Sequence, residues 1–262
     1  MGYCLGKRQI VSGVSFKVAH GETLVLLGRS GTGKTTTLKL VNRLLEPSSG
    51  EIFVESRPQL EWDPIRLRRR IGYVIQDVGL FPHWTVEQNI AMVPRLEAWP
   101  EARVRERVRE MLELVGLDVA KFSGRKPSEL SGGQRQRVGL ARALAGEPKI
   151  LLMDEPFGAL DPLTRAEMQD MLRDLLGRLK KTVLLVTHDL DEALFLADRI
   201  VLLSEGKLIA NLDVKEFLRS TEPEVQAYIR AFHRGGRSAE HAGDPSAMRE
   251  GRSATAKSGE RK

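Results

Sequence analysis

Cysteine is nearly missing from this sequence of 262 residues. Cys4 stands alone, so no internal disulfide can form and a cysteine-ligated zinc site is excluded, which suits a reducing cytoplasm. No apolar run approaches the roughly 18 residues that a membrane-spanning helix needs; the most apolar stretches, Ile150 to Met153 and Thr182 to Thr187, are short. The start has no charged segment leading into an apolar one, and residue 6 is Gly where a myristoylation site needs Ser or Thr. Neither a secretory leader nor an N-terminal lipid is therefore expected, and the protein is expected to stay inside the cell. Charge of one sign is also in short supply: Lys and Arg number 41 against 35 Asp and Glu, a net +6. That balance suits nucleic acid, anionic lipid or phosphate ligands alike and selects none of them. What is present, 41% hydrophobic and 29% charged residues, describes a globular protein and excludes fibrous, collagen-like and wholly disordered classes.

Turn residues Ala19-His20-Gly21-Glu22 separate two runs of β-like pattern, Val14 to Val18 and Thr23 to Leu27, which predicts a hairpin. A glycine-rich loop and a helix from about Lys34 to Leu45 follow. Pro47 to Gly50 reads as a turn, and Glu51 to Glu55 and Ile71 to Gln76 as strands. Asp63-Pro64 opens a helix between them, since Asp caps and Pro fits the first turn. From Thr85 to Gly146 the pattern turns helical, with Val104, Val108, Met111, Leu112 and Val115 on one face. Strands return at Lys149 to Met153 and Thr182 to Val186, on either side of a long helix from Pro162 to Leu179, and again at Ile200 to Leu203 and Leu208 to Ala210. Uninterrupted apolar strands alternating with helices imply parallel βαβ units. The expected organisation is one α/β domain over residues 1–220 with a helical insert near 85–146, a C-terminal helix over 221–233, and a disordered tail over 234–262. The tail has almost no large apolar residue and cannot bury enough surface to fold.

Gly28-Arg29-Ser30-Gly31-Thr32-Gly33-Lys34-Thr35-Thr36 has the spacing G-x-x-x-x-G-K-[ST] between a strand and a helix. Glycines let successive N–H groups turn inward onto phosphate oxygens, and the helix N-terminus adds positive field. Lys34 would reach the β and γ phosphates, and Thr35 would offer its hydroxyl to Mg²⁺. An ordinary glycine-rich turn with a surface lysine is disfavoured by strand, spacing and helix together. Asp154 and Glu155 end the apolar strand that begins at Ile150, where open α/β sheets place ligands. Asp154 suits Mg²⁺. Strand alternation sends Glu155 the other way, which suits a general base on water. His188 follows the strand from Thr182, at the same sheet edge, as a candidate γ-phosphate sensor; a plain surface histidine fits the periodicity equally well. Ser131-Gly132-Gly133-Gln134 heads another helix and forms a second anion cradle, more than one ATP needs.

With these pieces, Gln76 after Gly72-Tyr73-Val74-Ile75, and Gly158-Ala159-Leu160-Asp161, the sequence from about residue 5 to residue 220 resembles the ATP-binding subunits of ABC transporters. The resemblance implies a P-loop NTPase of ABC type: a mainly parallel sheet core with an antiparallel β subdomain and a helical signature subdomain. It implies a homodimer in which each ATP lies between the phosphate loop of one copy and the signature Leu130 to Gln134 of the other. Ser131 and Gly133 would contact the γ-phosphate in trans, Gln76 would reach Mg²⁺ and the attacking water, and Asp161 would line the seam. Asp77 to Trp84 would hold a groove for transmembrane permease subunits, fed by an extracytoplasmic solute-binding protein, at the cytoplasmic face of the inner membrane. No nucleic-acid partner is implied. Tyr3 is the candidate for stacking on adenine, with Leu5 nearer the family's usual place; the first edge strand is expected to begin before Met1.

Glu61-Trp62-Asp63-Pro64, Leu67 to Gln76, Gly79-Leu80-Phe81-Pro82-His83 and Pro94-Arg95-Leu96 look like the ATPases of importers for glycine betaine, choline, carnitine or proline betaine. The regulatory modules that follow in many betaine-type relatives are not expected here. A lipid or amino acid transporter, an exporter, and a soluble ABC ATPase acting on nucleic acid or ribosomes stay open as alternatives. The single phosphate loop and lack of sustained heptads weigh against the last.

Overall fold

The structure, a computed structural model, describes residues 1–231; the tail from Arg234 and residues Phe232 and His233 lie outside the described residues. The strands are β1 (Tyr3–Leu5), β2 (Arg8–Val11), β3 (Thr23–Leu27), β4 (Phe53–Val54), β5 (Arg57–Pro58), β6 (Ile71–Val74), β7 (Ile150–Asp154), β8 (Thr182–Thr187), β9 (Arg199–Ser204) and β10 (Lys207–Asp213). The helices are α1 (Lys34–Val41), α2 (Pro64–Arg70), α3 (Val86–Leu96), α4 (Glu101–Leu114), α5 (Val119–Phe122), α6 (Gly132–Ala145), α7 (Pro162–Leu179), α8 (Leu190–Leu196) and α9 (Val214–Arg219). Contacts divide the chain after Ser220, and the short described part beyond it holds a helix over residues 223–231.

Six strands form the main sheet in the order β10-β9-β3-β8-β7-β6, with β10 antiparallel to β9 and the other neighbours parallel. The α/β class with a mainly parallel sheet is therefore as expected. All five residues of β3 are buried, and each buried Val or Leu side chain contributes about 1.5–3 kcal/mol. The register aligns the strand ends: Leu27 lies beside Thr187, Val186 beside Asp154, and Met153 beside Val74. Whatever follows these four strands consequently hangs from one edge of the sheet.

Several expectations are corrected. No hairpin joins Val14–Val18 to Thr23–Leu27, because β8 and β9 occupy both edges of β3 and leave no ladder for a third strand. The N-terminal hairpin is instead β1 with β2, turning through Gly6 at φ 60. Helix α1 stops at Val41 rather than Leu45: Arg43 is left-handed at φ 51, and Gln59 Nε2 donates to the carbonyls of Leu40 and Val41. Strand β4 is only two residues long because Glu55 and Ser56 turn with φ 51 and 63 into β5. Helix α4 buries Val104, Val108, Met111 and Leu112 on one face, and Val115 is its buried C-cap rather than part of the helix; Asp63 caps α2 by accepting from Arg66 N at 2.8 Å.

Candidate functional site

The chain leaves β3 at Gly28, where a Cβ would lie 2.5 Å from the Leu203 carbonyl oxygen, so only glycine fits. Gly31 and Gly33 turn with φ 82 and 93, and Gly33 caps α1. Lys34 is buried, and its Nζ donates to the carbonyls of Gly28 at 2.7 Å and Arg29 at 2.9 Å, folding the ammonium back over its own loop. Burial pulls its pKa below the ordinary lysine value, partly offset by the charges of Glu155 and Asp154. Thr32 Oγ1 donates to the Arg29 carbonyl at 2.9 Å, while Arg29, Ser30 and Gly31 stand exposed and Thr36 is half-buried.

Thr35 Oγ1 donates to Asp154 Oδ1 at 2.8 Å, joining the first turn of α1 to the end of β7. Burial pushes the Asp154 carboxyl up, against the Thr35 hydrogen bond that lowers it. The Tyr73 phenol on β6 is pushed up by burial and by the charge of Asp154, to which it donates a hydrogen bond. A hydroxyl and a carboxylate so placed are hard oxygen donors suited to Mg²⁺. Among the described residues no three acidic, histidine or cysteine groups form a metal cage.

Glu155 lies past the strand end with φ 44. Its direction is set by that left-handed residue and by its N–H, which donates to the Val186 carbonyl at 3.0 Å. The alternation expected of a strand does not apply at this position. Oε2 of Glu155 receives two neighbours: His188 Nδ1 at 3.2 Å and Gln76 Nε2 at 3.5 Å. Residues 28–36, Gln76, Asp154, Glu155 and His188 thus share one edge of the sheet.

Ser131 to Gln134 and Asp161 form a second group. Ser131 caps α6, its Oγ accepting from Gln134 N at 3.2 Å while Gln134 Oε1 accepts from Ser131 N at 3.0 Å, a reciprocal cap. Asp161 caps α7 by accepting from Thr164 N at 3.1 Å; the Thr164 side-chain hydrogen bond first, and this backbone bond second, hold its carboxyl below the usual range. Gly132 faces Leu160 and Gly133 faces Thr164. Among the described residues no hydrogen bond joins Ser131–Gln134 to residues 28–36. Tyr3 is half-buried on β1 against the core, paired with Val11; Val11 borders Gly33, so Tyr3 stands near the loop.

Sequence reasoning missed two residues behind His188. Glu192, buried on α8, binds Thr187 Oγ1, and burial raises its pKa. Arg165 on α7 pairs with Asp189 at 3.7 Å and donates to the Leu160 carbonyl at 3.4 Å, linking the two groups. The spacing Asp189-x-x-Glu192 suggests a reciprocal cap, but Glu192 accepts from Thr187 instead, so the sequence carried no signal for either contact.

Away from the sheet edge, Trp84, Gln88, Met92, Arg95 and Leu96 line a groove of about 420 Å³. The Phe81 and Trp84 rings lie 4.5 Å apart at its rim, both exposed. No helix among the described residues is long and apolar enough to cross a membrane.

This chain is 51% identical over 225 residues to the glycine betaine/carnitine/choline transport ATP-binding protein OpuCA of Bacillus subtilis, an alignment covering 86% of this chain and 59% of that protein. It is 51% identical over 208 residues to the osmoprotectant import ATP-binding protein OsmV of Salmonella typhimurium, covering 79% and 54%. The chain therefore spans a little over half the length of these curated relatives. Among solved structures it is similar to a dimeric post-hydrolysis state of the ATP-binding cassette MJ0796 bound to ADP and Pi, with a TM-score of 0.72 and 33% identity over 81% of this chain and 95% of that one. Residues 11–158 match the family model described as ABC transporter, and the chain belongs to that family.

Proposed function

We propose that this chain is the ATP-hydrolysing subunit of an ABC importer, energising uptake of a small osmoprotectant or quaternary amine through a separate membrane permease. The observation that carries the chemistry is the convergence of Lys34, Thr35, Asp154, Glu155, His188 and Gln76 on one sheet edge. In this reading the amides of Gly28 to Thr36 and the Lys34 ammonium hold the phosphates. Glu155 accepts a proton from the attacking water, Gln76 orients that water, and His188 senses the γ-phosphate while steadying Glu155 Oε2. Thr35 and Asp154, with Gln76, would hold Mg²⁺, which supplies charge neutralisation to the phosphate oxygens.

Ser131, Gly132, Gly133, Gln134 and Asp161 would serve the ATP of a second copy. Support comes from their separation from the phosphate loop and from the dimeric relative MJ0796. Tyr3 would stack on adenine. The groove beside Phe81 and Trp84 would take the permease, and the subunit would then sit at the cytoplasmic membrane face, with an extracytoplasmic binding protein acting indirectly. The cargo class rests on the names of OpuCA and OsmV. Residues 1–220 would form the nucleotide-binding domain, followed by a C-terminal helix.

Glu155→Gln tests the chemistry. Hydrolysis should fall by about 100-fold or more, the scale of general-base loss, while ATP binding and an ATP-dependent dimer persist in size-exclusion chromatography. An active variant refutes the base assignment. Mild detergent extraction of that variant with ATP should co-purify a multi-span permease; recovery with ribosomes or nucleic acid and no membrane protein would refute the transporter reading.

A further inference from the structure

The turn after Gln76 is held from an unexpected side. Val78 and Gly79 both have left-handed backbone, φ 55 and 56, which is strained for a β-branched residue. Arg142 of α6 donates through one guanidinium nitrogen to the Gly79 carbonyl and through the other to the Val78 carbonyl, each at 2.6 Å. A planar fork reaches two adjacent carbonyls at once; an ammonium, as a single point charge, does not reproduce it. Burial lowers the Arg142 pKa from its ordinary value, and both bonds go to main-chain oxygens, so this guanidinium is spent on geometry rather than on a carboxylate. One helical turn earlier, Gly139 offers Val78 a bare α-carbon; a Cβ there would overlap Val78 Cγ1.

The same segment is fixed at both ends. At its start Gln76 lies 3.5 Å from Glu155. At its far end buried Asn89 accepts from Phe81 N at 2.8 Å and donates to the carbonyls of Phe81, Trp84 and Thr85. We propose that Arg142 is a positioning residue for Gln76: its fork on the Val78 and Gly79 carbonyls, with Val78 seated on Gly139, fixes the turn that aims Gln76 at Glu155. It also ties that turn to the helix headed by Ser131, so that a shift of α6 moves Gln76 with it. The inference rests on the hydrolytic reading above.

The test uses the full chain. Arg142→Lys keeps the charge and removes the fork; Gly139→Ala pushes Val78 away without altering any charge, and alanine is the better helix former. Both should speed hydrogen exchange at the amides of residues 76–80. Both should lower kcat for Mg-ATP hydrolysis by about 10- to 100-fold, the scale of a misplaced group beside the chemistry, with KM held within about twofold. In a Gln76→Ala background neither should lower the rate further. Equal losses in stability, KM and kcat that add fully to Gln76→Ala would mark a merely structural arginine and overturn the proposal, as would parental kcat in both variants. An inactive parent chain would count against the proposed function alone, and unchanged exchange at residues 76–80 would then still overturn the clamp.

Discussion

Gly133 stands where packing, and in the proposed function also a second copy's ATP, would make the same demand, and the two can be separated. A Cβ at Gly133 would lie 2.5 Å from Thr164 Cγ2 and otherwise meet nothing closer than Thr164 Cβ at 3.9 Å. Overpacking by one methyl costs about 1–3 kcal/mol, and replacing a helical glycine by alanine returns about 0.5–1 kcal/mol. Gly133→Ala should therefore destabilise by about 1 kcal/mol, or about 2–4 °C in a domain of this size. Thr164→Ser deletes only the offending methyl and keeps the Thr164 N–H that donates to Asp161, so the double variant should recover the melting temperature. If Gly133 also lets the ATP of a second copy approach α6 closely, hydrolysis at saturating Mg-ATP should stay at least about tenfold down in the double variant, a loss of about 1.4 kcal/mol. Differential scanning calorimetry and steady-state ATPase assays on the four proteins read both quantities. Melting temperature unrescued by Thr164→Ser refutes the packing account. Hydrolysis rescued together with stability refutes any role for Gly133 beyond α6–α7 packing.

Gly72 on β6 would place a Cβ 2.5 Å from the Ala143 carbonyl oxygen and 2.9 Å from Leu151 Cδ1; since backbone cannot swing aside, Gly72→Ala should cost about 1–3 kcal/mol in urea unfolding, and an unchanged midpoint would refute the close approach. Glu192→Gln tests a buried charge whose folded pKa is raised above its ordinary 4.5 by burial first. For such an acid the ionised form destabilises the fold above the folded pKa, and that cost fades as pH falls through the folded pKa towards 4.5. The variant should thus melt higher than the parent at pH 8, with the gap closing on acidification; a lower melting temperature at pH 8 would show the charge to be stabilising.

Local chemistry made much of the molecule legible. Asp161-Pro162 carries a cap and a first-turn proline, and the helix they open runs to Leu179 as the pattern indicates. Asp154 ends the apolar strand β7, Glu155 and His188 directly follow β7 and β8, and Lys34 and Thr35 open the helix reached by the glycine-rich loop from β3, so a parallel sheet brings them to one edge without any further information. Val14–Val18 shows where pattern alone misleads: alternation says that a segment suits a ladder, and says nothing about whether a neighbour has already taken the partner's edge. The left-handed backbone at Glu155, Val78, Glu55 and Ser56 carries no glycine to announce it. Arg142 and Glu192 read as ordinary charged helix residues, because a fork onto carbonyls 63 and 64 residues away, or a hydroxyl at the end of a strand, has no signature in spacing.

The two glycine-bearing helix starts differ in mechanical footing. The loop of residues 28–33 springs from β3, clamped on both sides in mid-sheet, whereas α6, besides packing on its neighbouring helices, meets the sheet at the rim strand β6 through the Gly72–Ala143 contact. From Ala143 to Ser131 the helix extends about 18 Å at 1.5 Å per residue, so a tilt of about 5° at that fulcrum sweeps Ser131 through about 1.6 Å, half the length of a hydrogen bond. Alignment of anything held against Ser131 is then sensitive to angular play at a glycine a helix-length away, as well as to the nearer Gly133–Thr164 contact, and a bare α-carbon keeps the tolerance small at both.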